Sequence, residues 1–353
     1  MIRQNGFGKR NLEDLFSRTP VRALSDGDKL VFFSDLHLGD GGRTDDFLHN
    51  SHLFSEVLSR YYDTAAFTLV LNGDIEELQR FRLRDILCRW EEVYASFDRF
   101  RRDQRLLRLV GNHDMNLLRG EGHDFDVEHA IRYSYGEQTV FVFHGHQTER
   151  RFERYNNLVG FGLRYLANPL GITNYSVAHD SVKRFRAEQQ AYAFASEHRV
   201  LTIMGHTHRP LFESMSKVDS LRFEIERLCR EYPQASAEEK SAIEVSISDH
   251  KRELQRIQSA DDSRAMLASL YNANLLIPCT FNSGTVIGKS GMTCLEIENG
   301  SISLVHWFDE SRETKYLSYG KLATASLHGT SYHRVVLKSE SLDYIFTRIK
   351  LLA

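Results

Sequence analysis

Five short apolar runs, each ending in a small knot of polar residues, constrain this chain more than any other feature. They are Leu30 to Phe33, Thr68 to Leu71, Leu106 to Val110, Thr139 to Phe143 and Val200 to Met204, each bounded by polar residues or glycine. Such runs read as strands, and their unbroken apolar character indicates strands covered on both faces. Helix-like segments, His52 to Tyr61 and Arg84 to Phe100, separate the first three runs. The order strand, helix, strand makes the fold class α/β. Ligands of open α/β sheets collect beyond the carboxyl ends of the strands, which is where every polar knot falls.

Further along, Thr293 to Glu298 and Ser301 to Trp307 flank Asn299-Gly300, the signature of a tight hairpin. Two long segments stand outside the alternation, and both read as helical. Glu149 to His198 carries Phe152, Tyr155 and Leu158 at helical spacing, breaks around Pro169 and Gly171, and resumes through Val182, Phe185 and Tyr192. It joins two site-bearing strands, so it is expected to form a cap-like insertion at 149–198. The second segment, Met215 to Ala260, places Leu221, Ile225, Leu228 and Tyr232, then Ile243, Ile247, Leu254 and Ile257, at alternating spacings of three and four. A helical hairpin insertion at 215–260 is expected, with Pro233 between its arms and Ser236 with Glu239 as a capping box opening the second. That hairpin is expected to serve assembly or partner contact, not chemistry.

The chain has 353 residues, 41% of them hydrophobic, enough for one large domain over 1–353 that carries these insertions. With 45 Lys plus Arg against 48 Asp plus Glu, it lacks the overall basic field that drives unspecific nucleic-acid binding. Local basic character occurs between Glu149 and Glu188, where seven Lys or Arg stand against four acids. A solvated helix face and a phosphate-facing patch explain it equally well. Cys88, Cys229, Cys279 and Cys294 show neither disulfide nor zinc spacing, and a reducing cytoplasm is the expected location. Met1 to Ser17 is polar where a signal peptide needs an apolar run, and no stretch reaches the length of a membrane span. Peripheral membrane contact stays open.

The polar knots are Ser-Asp35-Leu-His37, Leu-Asn72-Gly-Asp74, Val-Gly-Asn112-His113-Asp114, Phe-His144-Gly-His146 and Met-Gly-His206-Thr-His208-Arg-Pro. Asp35 and His37 are two apart, so at a strand's end their side chains can leave the same face and converge on one ion. His206 and His208 repeat the device. The donors are imidazole, carboxylate and amide oxygen without thiolate, a set suited to Mn, Fe, Zn or Ni and poor for Ca. His146 remains open between a substrate contact and a supporting or exposed residue.

Together these five ordered motifs resemble the calcineurin-like metallophosphoesterase family. The likeness spans 31 to 210, with the later Phe281-Asn282-Ser283-Gly284 turn as a further point. It implies a sandwich of sheets flanked by helices, here with two helical insertions, and two divalent metal ions as cofactors. Asp35, His37 and His208 are implied to hold one ion, Asn112, His144 and His206 the other, with Asp74 bridging both. Such a pair activates a bridging hydroxide for in-line attack on phosphorus without a covalent enzyme intermediate. His113 matches the family's general acid, and Glu77 stands where protein phosphatases of the family place an Asp that orients it.

The implied substrate is a phosphate ester or anhydride. The family includes protein phosphatases, cyclic-nucleotide phosphodiesterases, nucleases and pyrophosphatases acting on UDP-diacylglucosamine. The last group is similar in placing a helical cap between the fourth and fifth motifs, but carries Arg where this chain has His113. Other relatives use the fold as a protein-binding scaffold after losing the catalytic histidine, which is present here. The substrate class stays open on sequence alone.

Overall fold

The computed structural model of the chain describes residues 5–120, 123–148, 181–214, most of 221–260, 277–312 and 322–353. Among these, the strands form two sheets. One holds β1 (Val21–Leu24), β5 (Ala130–Tyr135), β6 (Gln138–Phe143), β7 (Leu201–Met204) and β8 (Thr280–Asn282), in that order. The other runs β11 (Thr324–Ser326), β12 (Tyr332–Ser341), β10 (Ser301–Asp309), β9 (Met292–Glu298), β2 (Leu30–Phe33), β3 (Thr68–Asn72) and β4 (Leu106–Leu109). All five expected strands are present, displaced by at most one residue at an end. They divide between the sheets: β2, β3 and β4 lie parallel in the larger, β6 and β7 parallel in the smaller.

The double-sided burial inferred from the apolar runs is seen residue by residue in β2. Val31 and Phe33 join one buried cluster with Phe54, Phe97 and Phe100, while Leu30 and Phe32 join a second with Val140, Val142 and Leu201 of the smaller sheet. The first cluster lies under α2 (Ser51–Val57), α3 (Leu83–Arg89) and α4 (Glu91–Arg102). Beyond the smaller sheet, Phe141 meets Phe16 of α1 (Asn5–Arg18) and Phe194 of α5 (Ser181–His198), with centroids 5.1 and 5.7 Å away. Burying one such side chain contributes roughly 1.5 to 3 kcal/mol. Adjacent residues facing opposite ways therefore tie one strand to two layers.

Local departures from the expected helices have visible causes. The first helix runs as α2 and then widens into a π-helical turn at Leu58–Asp63. The second breaks at Trp90 (φ −109°, ψ 32°), whose indole donates to the Gly39 carbonyl, and so becomes α3 and α4. The hairpin between β9 and β10 turns on Asn299 and Gly300, both left-handed at φ 51° and 65° as a type I′ turn requires. At the chain's end, α7 (Leu342–Leu352, with α6 given below) is capped by the Ser341 hydroxyl, which accepts from Tyr344 N at 3.1 Å. No described helix is long and apolar enough to cross a membrane.

Of the first insertion, 149–180 lie outside the described residues. Its remainder is α5, which buries Ala191, Phe194 and Ala195 in the core. Of the second, 215–220 lie outside, and the capping box is formed: Ser236 N donates to Glu239 Oε2 at 2.8 Å and Glu239 N to Ser236 Oγ at 3.4 Å, opening α6 (Ala237–Ala260). The chain departs for this insertion from a closed neck. After β7 it turns back along β8, Leu211 pairing with Asn282 and Ser214 with Thr280, and the Ser214 hydroxyl donates to the Ile277 carbonyl at 2.9 Å. Residue 214 thus lies beside the start of β8, away from the strand ends that bear the polar knots. Replacing 215–276 by a short Gly/Ser linker is therefore expected to leave a cooperatively folded protein, its stability altered by no more than about 2 kcal/mol, the closure cost of so long a loop. Urea unfolding of the two chains checks this.

Candidate metal centre

The backbone at the strand ends continues the sheets and then bends sharply. Asp35 N donates to Gly73 O at 3.1 Å and His37 N to Asp74 O at 3.0 Å, so the loops after β2 and β3 run side by side. Asp35, His37, Asp74, His206 and His208 all adopt left-handed backbone conformations, with φ between 50° and 67°. A non-glycine residue held there costs about 1 to 3 kcal/mol. The expected convergence of Asp35 with His37, and of His206 with His208, thus arises differently from simple alternation at a strand end. Both pairs lie beyond their strands, and left-handed kinks aim the side chains. Close approach adds a second demand: a Cβ at Gly111 would fall 2.1 Å from Asp74 Oδ1.

Six of the seven expected ligands, Asp35, His37, Asp74, His144, His206 and His208, meet with both supporting residues in one cluster. Asp35 Oδ1 lies 3.1 Å from His208 Nε2, 3.9 Å from His144 Nε2 and 4.0 Å from His37 Nε2. Asp74 Oδ2 lies 3.1 Å from His144 Nε2, while Asp74 Oδ1 accepts from the His113 backbone at 2.8 Å. Three triads have ligand atoms within 4.8 Å of one another: Asp35, His37 and His208; Asp74, His144 and His206; and His37, Asp74 and His113. Asn112 is buried beside them, its carbonyl accepting from Gln79 Nε2 at 3.1 Å. Only His208 retains appreciable exposure, 13% for its side chain.

The donor set fits divalent cations. Asp35 Oδ1 and His144 Nε2 are buried, and although each lies 3.1 Å from an ionisable partner, His208 Nε2 and Asp74 Oδ2, neither has an aligned hydrogen bond among the described residues. An unsatisfied buried polar atom costs about 1 to 3 kcal/mol, and a cation placed between these atoms removes that cost. Their other atoms are already committed. Asp35 Oδ2 accepts from His206 N at 3.0 Å, and His144 Nδ1 donates to Asn72 O at 2.7 Å, which turns Nε2 inward. Both contacts cross between the sheets, so the centre also joins the two layers.

In the metal-free chain protons stand in for cations. Burial opposes the charged form of His113, but Glu77 and Asp74 outweigh it and raise its pKa to about 10. His144 is raised to about 9 against its own burial by Asp74 and Asp35. For Glu77, burial is outweighed by His113 and His37, and the pKa falls to about 2. Burial and the neighbouring His144 and His206 hold His146 well below its usual value. His146 is buried, its ring centroid 5.6 Å from that of His144, and its Nδ1 makes no hydrogen bond among the described residues.

Several supporting residues carried no assigned role in the sequence reading. Asp114 accepts from Gly111 N at 2.6 Å and Ile75 N at 2.7 Å, pinning the third loop to the second. Asn282 Nδ2 donates to Gly205 O at 2.8 Å and to Thr207 Oγ1 at 3.0 Å, bracing the fifth. Glu188 of α5 accepts from Thr207 Oγ1 at 2.8 Å and pairs with Arg209. Asn72, Asp114 and Asn282 stand inside motifs that were recognised, so adjacency was their signal. Glu188 lies in no motif, and one sequence offers no means of finding it.

The pKa shifts give a stability profile for the metal-free protein. Glu77, lowered from 4.5 to about 2, contributes stability that is complete above 4.5 and lost as pH falls through 2. His113, raised from 6.5 to about 10, contributes stability that is complete below 6.5 and lost as pH rises through 10. The pair therefore helps most between 4.5 and 6.5. Glu77→Gln is expected to destabilise the metal-free chain more at about pH 5.5 than at about pH 10, as measured by urea midpoints at each pH.

A search of curated proteins gives no match. A solved structure described as that of Yfce, a phosphoesterase from E. coli, is 13% identical, with 89% of this chain and 99% of that chain covered at a TM-score of 0.34. A likeness of that size supports no conclusion. The model of the calcineurin-like phosphoesterases matches residues 29–232, more than half of the 353 and all five site-bearing loops. The chain therefore belongs to the calcineurin-like phosphoesterase family and is a metal-dependent phosphoric ester hydrolase.

Proposed function

We propose that the chain hydrolyses a phosphate ester or anhydride at a dinuclear centre of Mn, Fe, Zn or Ni. Asp35, His37 and His208 hold one ion, Asn112, His144 and His206 the other, and Asp74 lies between them. The observation that carries this reading is the chain of three ligand triads, two sharing His37 and two sharing the Asp74 carboxylate, together with the buried Asp35 Oδ1 and His144 Nε2, which lack an aligned hydrogen bond among the described residues. When bound, such ions supply Lewis-acid charge for the phosphoryl oxygens and lower the pKa of an attacking water.

The protein's own part is positioning and proton transfer. Asp74 is held from behind by the His113 N–H, so its carboxylate keeps one orientation. His113 turns Nδ1 to Glu77 at 2.8 Å, which leaves Nε2, 4.0 Å from Asp74 Oδ2, as the end that serves the leaving group. Glu77 stabilises the imidazolium, so a proton is stored where an alkoxide departs. The intact His113 and ligand cluster weigh against a scaffold role.

The decisive experiment is a metal-reconstituted screen over monoesters, diesters, nucleotides, phosphopeptides and sugar-nucleotide pyrophosphates. Turnover of none of them by a metal-loaded chain would overturn the reading. Asp74→Ala is expected to empty both sites together, because one carboxylate offsets the repulsion between two ions. Elemental analysis checks this, and full retention of one ion would contradict bridging. His113→Ala should keep its metals yet lose on the order of 10² to 10⁴ in rate on alkyl esters, with a smaller loss on nitrophenyl phosphate, whose leaving group hardly needs a proton. Equal losses on both would assign His113 to electrostatic binding of the phosphoryl group.

A further inference from the structure

Glu77 faces two imidazoles. Its carboxylate oxygens lie 3.0 Å from His37 Nδ1 and 2.8 Å from His113 Nδ1. All three side chains are buried, and the two rings meet edge to face with centroids 4.7 Å apart. An ionised carboxylate only accepts hydrogen bonds, so both Nδ1 atoms must carry protons directed at Glu77. Both Nε2 atoms are then turned away from it. For His37 that atom lies 3.1 Å from His208 Nε2 and 4.0 Å from Asp35 Oδ1, within the first triad. For His113 it faces Asp74.

We propose that Glu77 is a positioning residue shared by the metal centre and the proton donor: one carboxylate fixes the tautomer of His37 and the orientation of His113 together. This rests on the ligand and acid assignments above, and it adds a link between them. Loading of the ion held by Asp35, His37 and His208 depends on the same side chain that aims His113. A carboxylate serving His113 alone would have no bearing on metal affinity. Glutamate suits the double task because its reach brings the carboxylate between the rings, Oε2 to His37 Nδ1 and both oxygens to His113 Nδ1. Aspartate, shorter by one methylene or roughly 1.5 Å, cannot span both from the same backbone position.

Calorimetric titration with Mn²⁺ on the full chain tests the link. Glu77→Ala should weaken one of the two ions about 10- to 100-fold, the usual cost of removing a partner that orients a ligating histidine. The same weakening should appear in a His113→Ala background, where aiming His113 no longer matters. Glu77→Gln, which keeps one acceptor oxygen, should lose less, and it carries the comparison if Glu77→Ala no longer unfolds cooperatively. A second measurement needs no metal. Proton NMR of the metal-free chain, with labelled histidine, should show two hydrogen-bonded Nδ1–H protons. Both should be lost in Glu77→Ala, and only one in His113→Ala. Unchanged Mn²⁺ affinity in both backgrounds, or a Glu77-dependent proton on His113 alone, would overturn the proposal. If the wild-type chain took up no divalent ion, the functional reading would fail, and the NMR result would still decide the role of Glu77.

Discussion

Asp35, Asp74, Glu76, Glu77 and Asp114 are buried together at one end of the sandwich, and the balance of their charge is the constraint on which the rest of the structure depends. Each buried carboxylate costs several kcal/mol unless it is paired and hydrogen-bonded. A permanent cation answers Glu76 directly. Arg108 lies 2.6 Å from Glu76 and stacks 4.2 Å over Phe125, while the Tyr94 hydroxyl donates to the same carboxylate at 2.6 Å. Asp114 receives two backbone N–H groups, yet burial and then Asp74 and Glu76 still push its pKa up to about 7. The remaining charge falls to the imidazoles. Histidine alone among the cationic side chains can carry a proton when the centre is empty and release it to bind a metal ion. That is why the raised pKa values of His113 and His144 and the lowered values of Asp74 and Glu77 occur together.

The same cluster holds the two sheets in register. His206 N donates to Asp35 Oδ2, His144 Nδ1 to Asn72 O and Asn72 Nδ2 to Phe143 O, and each bond crosses from one layer to the other. Ser34 and Ser283, with hydroxyls 2.8 Å apart, add a fourth crossing just behind the ligands. Left-handed ligand residues are tolerable here because each loop springs from a buried strand and is tied to its neighbour by backbone hydrogen bonds, Asp35 N to Gly73 O, His37 N to Asp74 O and Gly205 N to His144 O. The core and the site are thus mechanically one object. A change that loosens the packing of Phe32 or Phe143 should be felt at the centre as well as in stability.

Much of this was legible in sequence, for reasons that differ by element. The five site-bearing strands were visible because double-sided burial leaves a mostly apolar run, even with Arg108 inside β4 and Thr202 inside β7, and the ligands because each lies in the polar knot that follows such a run. The edge strands β1 and β11 were not. Both are short and largely exposed, with Val21 half accessible, and their sequences resemble loops. β12 alternates weakly, and nothing marked it before its partner β10 was known. The division of the five strands between two sheets was equally hidden, since periodicity tells which faces are buried and not against which layer. The left-handed conformations of Asp35, His37, His206 and His208 also escaped notice. A non-glycine residue gives no compositional sign of positive φ, and the strain is imposed by tertiary contacts such as His206 N to Asp35 Oδ2.

Topology separates the two insertions by the ends of the sheet at which the described chain breaks off. The first insertion follows Thr148, just past His144 and His146, and α5 begins at Ser181. Because α5 leads into the start of β7, its own first turns lie toward the end of β7 where His206 and His208 stand, and Glu188 reaches Thr207 and Arg209 from there. Thr148 and the first turns of α5 therefore lie at the same end of the sheet as the centre. The neck at Ser214 and Ile277 opens on the opposite end, beside the start of β8. The points at which the two insertions join the described fold thus lie at separate ends of the same small sheet.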